Sequence, residues 1–450
     1  GKDPSMSFIK FENIVKLFTK YWEKFLVTGV SYTLLLAAIT EHPDWPESER
    51  GDLLGECDLI MSFLMYNDIS AMSRLHRSAS AQMSRPAISI QKSGGWTFGS
   101  PSVLMMFYRA PGELQSELQE MDECMPHYYK ITNGHGQGAE TIMRAEADFM
   151  RACFADAQIM LERAYAQIDG NGQENMALCC DFLAWRLSLC TSFTPRESFE
   201  QRREALLGLH NVAWLNILQS SCAYYYALLG LPEKIPEVFR EHQLASIHFL
   251  APGKPMMELI ENQVYLAQGE YAKVIGHSEA LLGMCEAMHY ALVALHIRLQ
   301  TAAAYEMLGK RETADELLIS ALAAAEPDAL YLPFVENYRY LKTALTRGAG
   351  AKFAAFVRTV TPLGEDFVRR CGEKRAEGSR PAALAGLTER ESAIAALVAK
   401  RLSNREIAEQ LFLSEGSVKQ YINQIYSKLL ITGDVRTKRK RLAELAAPKS

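Results

Sequence analysis

The chain has 450 residues, 48% of them apolar and 22% charged, so it is too long for one hydrophobic core, and disorder over most of its length is excluded. Its net charge of −5 excludes a general polyanion binder, but the charge is unevenly distributed. Residues 387–450 carry 12 Lys and Arg against 7 Asp and Glu, and the other 386 residues carry 36 against 46, which suggests a small nucleic-acid module attached to an acidic body.

The first 140 residues are predicted to form an N-terminal helical region. Phe11–Val27 and Leu53–Tyr66 have the spacing of amphipathic helices. The Gly-rich segments Ser93–Pro101 and Ile131–Gly138 interrupt this pattern and are predicted to be loops. The phosphate-binding motif GxxxxGKS/T occurs nowhere in the chain, so no nucleotide site is expected.

Residues 141–370 are predicted to form tetratricopeptide-like helical repeats. The clearest copies contain Gly230, Gly269 and Gly309, which are spaced by 39 and 40 residues and each follow an apolar helical run. A glycine at this place ends a helix in a left-handed conformation that other residues adopt at a cost.

Helix pairs are predicted on both sides of these glycines. Arg144–Gln167 is expected to be one pair that turns near Cys153, and Glu174–Leu209 another that turns near Thr194. The second helices that follow the glycines are expected at Ile235 to about His242, at about 271 to Leu282, and at Glu312–Ala325. Since a single pair cannot bury its apolar face alone, the pairs are expected to stack into an all-α superhelix.

The nine Cys residues form no CxxC pair, which favours packing in a reducing cytoplasm over a disulfide framework. The ten His residues form no cluster with the spacing of metal ligands, and no catalytic triad or carboxylate pair is indicated. No cofactor, metal or enzymatic activity is therefore predicted. The longest unbroken apolar run, Cys222–Leu229, is far too short to span a bilayer.

Residues 371–386 are predicted to be a linker. The segment contains three glycines and Pro381 among charged and small residues. It is the expected hinge between the helical repeats and a separate domain at residues 387–450.

That domain carries the start signals of four short helices. Thr388 with Glu391, and again Ser403 with Glu406, have the spacing of capping boxes. Ser414 is a third N-cap, and a fourth helix is expected from about 434 to about 447. Two short helices joined by a tight turn, the second with a polar outer face, predict a helix-turn-helix.

The third of these helices is predicted to read DNA. Its apolar stripe is expected to pack on the two helices before it, and consists of Val418, Ile422, Ile425 and Leu429. Its polar side offers Lys419 as a donor to guanine, and Gln420 and Asn423 as partners of adenine. Residues at helix ends and flanks are candidates for contacts to DNA phosphates: Ser403, Asn404, Arg405, Ser414, Ser417 and Lys428.

The segments LTERE (387–391), LSNREIA (402–408), LSEGSVK (413–419) and IYSKL (425–429) resemble the LuxR-type DNA-binding domain. The resemblance implies that the third helix reads DNA and that the fourth supports dimerisation. It places four residues at groove-facing positions, namely Lys419, Gln420, Tyr421 and Asn423. Arg401 and Leu430 stand where that family usually has glycine, and Tyr421 where it usually has histidine. The basic run 438–441 either adds phosphate contacts or repels a second copy of the chain.

Ala321–Leu345, with LPFVENY at 332–338, is similar to the last repeats of the large LuxR-type regulators related to the maltose-operon activator. Those regulators have an N-terminal nucleotide-binding ATPase, a helical-repeat sensor and a DNA-binding domain. The resemblance implies that this chain is the sensor and DNA-binding part without the ATPase, with a sugar or other small molecule as effector. The expected partners are double-stranded promoter DNA, RNA polymerase, an effector or protein bound by the repeats, and a second copy of the chain on DNA.

Two functions stay open on the sequence alone. In the first, the chain is a sequence-specific bacterial transcriptional regulator whose repeats control DNA binding. In the second, it is an interaction scaffold whose helix-turn-helix is structural. The aromatic residues that could stack on an effector are Trp96, Trp185, Trp214, Tyr224, Tyr225 and Tyr226. Packing between repeats also explains these residues and is the favoured explanation. Because consecutive residues point in different directions around a helix, at least one of the three tyrosines should be exposed.

Overall fold

The computed structural model describes residues 36–37, 39–41, 45–247, 250–348, 350–378 and 386–446, and these contain no β-strand. The predicted all-α class is therefore confirmed. The chain divides into two compact units, Gly1–Val368 and Arg369–Ser450. The helix expected at Phe11–Val27 lies outside the described residues, and the expected boundary at residue 140 stays a prediction. Within the described ranges, no helix is long and apolar enough to cross a membrane.

The first unit is a succession of helices, most of them joined by short turns, with a longer irregular segment at residues 83–103. In chain order its helices are α1 (Glu47–Leu64), α2 (Ile69–Gln82), α3 (Leu104–Phe107), α4 (Leu114–Thr132), α5 (Ala139–Met150), α6 (Phe154–Ile168), α7 (Glu174–Cys190), α8 (Phe199–Leu207), α9 (Val212–Leu229), α10 (Glu237–Arg240), α11 (Lys254–Gln268), α12 (Tyr271–Ala287), α13 (Ala291–Met307), α14 (Arg311–Ala325), α15 (Leu332–Glu336) and α16 (Tyr338–Gly348). Most of them pack on helices close to them in sequence, as in a solenoid.

The predicted helix pairs are present. α5 and α6 turn at residues 151–153, and α7 and α8 are joined by residues 191–198. Gly230, Gly269 and Gly309 have φ angles of 72°, 79° and 77°, which confirms the left-handed helix ends. At Gly269 the backbone N–H groups of residues 269 and 270 donate to the carbonyls of Leu266 and Tyr265, at 3.2 and 2.8 Å, and so satisfy the end of α11.

The helix expected from Ile235 to about His242 is wrong. Only the single turn α10 is helical there. Ile235 precedes Pro236 and is held extended, with φ −66° and ψ 134°, because the proline ring disfavours the helical conformation before it. His242 has a φ of 55°, which ends the turn. By contrast, α12 runs past the expected end at Leu282 to Ala287.

A buried ion pair joins two helices of the first unit that are far apart in sequence, α7 and α15. Arg186 on α7 donates from Nε to Glu336 Oε1 on α15 at 2.8 Å, and the Tyr224 hydroxyl on α9 donates to Glu336 Oε2 at 2.8 Å. Arg186 and Glu336 are each 1% exposed. The guanidinium of Arg186 also lies over the rings of Phe149 and Phe182, 4.9 and 5.1 Å from their centroids.

Two further bonds join early and late helices of the unit. The Tyr108 hydroxyl donates to Asp328 Oδ2 at 2.7 Å, and Asn67 Nδ2 donates to the His289 carbonyl at 2.9 Å. We call these two bonds, with the Arg186–Glu336 pair, the closing contacts. They span 150 to 222 residues of sequence, so the first unit is bound across its interior as well as along its length.

The expected linker at 371–386 is partly wrong. The helix α17 (Ala354–Gly378) contains the division between the two units and continues through residues 371–378. Residues 373–375 are Glu, Lys and Arg, which are good helix formers, so their charge does not distinguish a linker from a helix. Residues 379–385 lie outside the described part of the chain.

The second unit contains the four predicted short helices: α18 (Glu389–Ala399), α19 (Asn404–Leu411), α20 (Glu415–Lys428) and α21 (Val435–Ala446). Their common core is formed by buried aliphatic residues from all four helices, including Ile394, Ile407, Ile422 and Leu442. α18 packs on both α20 and α21, while α19 packs on α20. This arrangement fixes which face of α20 is left for solvent.

Candidate nucleic-acid interface

Capping boxes fix the start of the first two helices of the unit. The Thr388 N–H donates to Glu391 Oε2 at 2.7 Å, and the Glu391 N–H donates to Thr388 Oγ1 at 3.3 Å. Ser403 and Glu406 repeat this pattern at α19, with the same two distances. Both caps were predicted from spacing alone, and both are present.

The helix α20 has an apolar and a polar side. Ser414 caps it by accepting from the Ser417 N–H at 3.1 Å. Of the predicted stripe, Val418, Ile422 and Ile425 are buried in the core, and Leu429 is half-buried against it. The opposite side carries Lys419, Gln420 and Asn423, and all three are exposed. These three side chains are therefore free to meet an external surface.

Tyr421 differs from the other predicted base-reading residues. It is only partly exposed, and its ring packs against the core of the unit. Part of its side chain is therefore covered by the core, and the rest is open to solvent. A packed tyrosine presents a fixed surface to a partner, whereas the exposed side chains of Lys419 and Asn423 adjust.

Two predicted phosphate contacts lie at the start of α19. Ser403 Oγ is exposed but bonds to Glu406 Oε2 at 2.7 Å. Arg405 is exposed and pairs with Glu409 at 3.2 Å across one helical turn. An ion pair this exposed contributes little, so the Arg405 guanidinium exchanges it readily for another anion.

Lys428 is held by an ion pair that the sequence did not indicate. Its Nζ lies 2.7 Å from Glu391 Oε2, and the Glu391 side chain is only 3% exposed. Burial alone raises the pKa of the Glu391 carboxyl, but the bonds from Lys428 and Thr388 favour the charged form and hold the pKa below its usual value. The ammonium has three donors, so two remain for a phosphate.

Arg439 is a second residue whose role sequence reasoning missed. Its Nη1 donates to Asn404 Oδ1 at 2.7 Å and its Nη2 donates to the Leu402 carbonyl at 2.6 Å. The side chain of Asn404, a predicted phosphate contact, is thereby held by α21. The basic run 438–441 was the only signal, and it does not distinguish Arg439 from its neighbours.

Arg401, Phe412 and Leu430 have positive φ angles of 62°, 52° and 53°. Each follows the end of a helix of the second unit, where glycine is the usual residue. Phe412 and Leu430 are 96% and 85% exposed, so packing does not repay the strain of this conformation. Arg401 is exposed as well.

The first unit offers a groove of about 850 Å³ along α12, α13 and α14. Its lining mixes charged side chains such as Glu279, Glu286 and Arg298 with the ring of Tyr305. The aromatic residues named from sequence lie elsewhere. Trp96, Trp185, Trp214 and Tyr224 are buried, and Tyr225 and Tyr226 are half-buried, so none of the three tyrosines is fully exposed.

Residues 385–439 match the family described as bacterial regulatory proteins, luxR family. The chain is 41% identical over 63 residues to the transcriptional regulatory protein LnrK of Bacillus subtilis, which covers 13% of this chain and 29% of that protein. It is 39% identical over 46 residues to the DNA-binding transcriptional activator DevR/DosR of Mycobacterium tuberculosis, which covers 10% of this chain and 21% of that protein. Both relatives are thus matched over less than a third of their length. The predicted LuxR-type helix-turn-helix is confirmed for the second unit.

Proposed function

We propose that the chain is a sequence-specific DNA-binding bacterial transcriptional regulator whose helical repeats bind an effector or a protein partner and control DNA binding. The observation that carries this proposal is the polar side of α20, where Lys419, Gln420 and Asn423 are exposed on a helix whose other side is buried. The LuxR-type match over residues 385–439 supports it.

In this proposal α20 enters the major groove. Lys419 donates to guanine O6 and N7, while the amides of Gln420 and Asn423 pair with adenine. Tyr421 contacts the groove with the part of its side chain that the core leaves open. Such base contacts specify the sequence, and the remaining contacts set the position of the helix.

Phosphate contacts come from the helix ends around α20. Ser403, Asn404 and Arg405 lie at the start of α19, where unpaired backbone N–H groups favour an anion. Ser414 and Ser417 offer hydroxyls at the start of α20, and Lys428 offers its two remaining donors at the end. The six residues flank the base-reading surface along the chain on both sides.

The helical repeats are proposed to be the sensor. The groove along α12, α13 and α14 is wide enough for a small molecule or a peptide, and its mixed charges suit a polar ligand. Binding controls the regulator if the ligand has different affinities for two arrangements of the chain. The effector is a sugar or another small molecule if the chain is the sensor part of the maltose-activator class. Such a regulator acts in the cytoplasm, on promoter DNA and with RNA polymerase, as a homodimer.

The test is capture of fragmented genomic DNA by the full chain, followed by sequencing, at two salt concentrations. We expect a few promoter fragments to be enriched and to survive moderate salt, since base contacts are less sensitive to salt than phosphate contacts are. Lys419→Ala combined with Asn423→Ala should remove the preference for these fragments and leave the helix content unchanged.

A matched control is Lys400→Ala combined with Gln410→Ala, which removes the same charge and one amide from exposed positions outside α20. This control should keep the fragment preference. If the α20 variant keeps it too, α20 does not read DNA. If the full chain captures no DNA at either salt concentration, the scaffold function replaces the regulator.

A further inference from the structure

A concavity of about 580 Å³ lies between the end of α18 and the outer side of α21. Four cationic side chains line it: Arg401, Arg436, Arg439 and Lys440. Glu444 is the one carboxylate of the lining, and the floor is formed by small apolar residues. The concavity therefore concentrates positive charge that the second unit itself does not neutralise.

The ion pairs around this concavity are weak or absent. Lys440 and Glu444 are 3.9 Å apart and mostly exposed, at 79% and 63%. In the described part of the chain, neither Arg401 nor Arg436 lies within ion-pair distance of a carboxylate. Clustered guanidinium groups without carboxylate partners suit phosphate, whose oxygens match the planar fork of arginine.

Arg401 adds an independent observation. It takes a φ of 62° at the turn between α18 and α19, a conformation in which glycine has no steric cost. Its side chain is exposed and lines the concavity, so burial does not compensate for the strain. Phe412 and Leu430 hold the same exposed and strained conformation, so what distinguishes Arg401 is that its side chain lines the concavity.

Arg439 connects the concavity to the proposed DNA-binding surface. The same guanidinium that lines it donates to Asn404 Oδ1 and to the Leu402 carbonyl, at 2.7 and 2.6 Å. Leu402 lies in the turn before α19 and Asn404 is the first residue of that helix. α19 is the first helix of the helix-turn-helix, which in such motifs crosses the DNA backbone. The concavity therefore adjoins the start of α19, where the proposed phosphate contacts lie.

We infer that this concavity binds phosphates of the DNA backbone outside the groove that α20 reads, with Arg401, Arg436 and Lys440 as the contacting residues and Arg439 as the positioning residue. This inference rests on the proposed function. It gives the outer side of α21 a partner other than a second copy of the chain. Two copies that met through this side would bring their like charges together.

The test compares two charge variants of the full chain in DNA binding measured over a range of salt. Arg436→Gln with Lys440→Gln removes two charges from the concavity. Lys438→Gln with Arg441→Gln removes two charges from the same helix at positions that do not line it. We expect the first variant to lower the salt slope of log K by about 2 and to weaken binding to all sequences alike. The second variant should leave the slope within about 0.5 of the wild type.

Equal slopes for the two variants would overturn the inference, because the effect would then come from the general field of α21. An unchanged salt slope in the first variant would overturn the inference as well. The proposed function would still stand in that case if the wild-type chain prefers particular DNA fragments. Absence of any DNA binding by the wild type would remove both.

Arg401→Gly separates a role in DNA binding from a role in folding, because the two roles predict different changes in the salt slope and the thermal midpoint. It should lower the salt slope by about 1 while raising the thermal midpoint of the second unit. Leu430→Gly, the matched change at another left-handed position, should raise the midpoint and leave the slope unchanged. Inorganic phosphate without DNA distinguishes a free anion from the DNA backbone. Suppose that inorganic phosphate stabilises the wild type but not the variant with Arg436→Gln and Lys440→Gln, while the wild type and this variant bind DNA alike. The occupant of the concavity is then a free anion, and the inference is wrong.

Discussion

Arg401 and Leu430 hold a left-handed backbone conformation at two helix ends of the second unit. Replacing either by glycine should raise the free energy of unfolding by about 0.5–1 kcal/mol, because relief of the steric strain exceeds the added chain entropy. Hydrogen exchange of the α20 amides in the full chain measures this for the second unit alone. Lys400 has a φ of −74°, so Lys400→Gly should lower the protection instead. Reduced protection in both Arg401→Gly and Leu430→Gly would contradict the expectation.

Glu391 should make the stability of the second unit depend on pH. Its carboxyl has a lowered pKa in the folded chain because Lys428 and Thr388 bond its charged form more than burial disfavours it. The stability that this group contributes is therefore present above the usual pKa and is lost as the pH falls through the lowered one. Glu391→Gln should cost about 1–2 kcal/mol at pH 7, and the difference from wild type should shrink below about pH 4.

Glu406 is the matched control because it occupies the same capping-box position and has no lysine partner among the described residues. Glu406→Gln should cost less than Glu391→Gln in hydrogen exchange at pH 7. A Glu391→Gln effect that stays constant down to pH 3 would show that the Lys428 pair contributes no charge-dependent stability.

At the scale of single helices, Gly269 is required by the end of α11. Gly269→Ala should lower the free energy of unfolding by about 1 kcal/mol, since its φ of 79° is unfavourable for a residue with a Cβ. Gly283 lies inside α12 with no atom within 4 Å of an added Cβ. Gly283→Ala should raise stability by about 0.5–1 kcal/mol through helix propensity alone. Urea unfolding measures both, and equal signs for the two changes would contradict the cap assignment.

Helices with local start and stop signals were predictable from the sequence. The caps at Thr388, Ser403 and Ser414 need only residues three positions apart, and α20 has a periodic stripe that shows its buried side. The expected helix after Gly230 failed because Pro236 restricts the residue before it. Residues 371–378 lie in α17 although a linker is predicted there, because charged residues suit a helix as well as a linker. The Glu391–Lys428 pair joins two helices and leaves no local pattern.

At the scale of the whole first unit, the closing contacts change how it should unfold. Glu336→Gln leaves the guanidinium of Arg186 buried without its charged partner, and should cost about 3–5 kcal/mol. The Lys342–Glu365 pair is 61% and 53% exposed, so Glu365→Gln should cost far less than Glu336→Gln. Urea unfolding followed by circular dichroism distinguishes the two, and similar costs would mean that the buried pair does not hold the unit closed.

These contacts were beyond prediction from the sequence. Arg186 and Glu336 are 150 residues apart, and either residue alone reads as an ordinary charged position on a helix. Only the superhelical path brings α7 and α15 together. The same holds for Tyr108 and Asp328, which lie 220 residues apart.

The closing contacts also limit how such a chain changes over evolution. An open solenoid gains or loses a repeat easily, because each repeat touches only its neighbours. Here, deletion or duplication of one helix pair between α7 and α15 would displace Glu336 along and around the superhelix, and so separate the buried Arg186 guanidinium from the carboxylate that it bonds. Insertions are therefore expected in the turns, and chains with this closed body are expected to keep one fixed number of helix pairs.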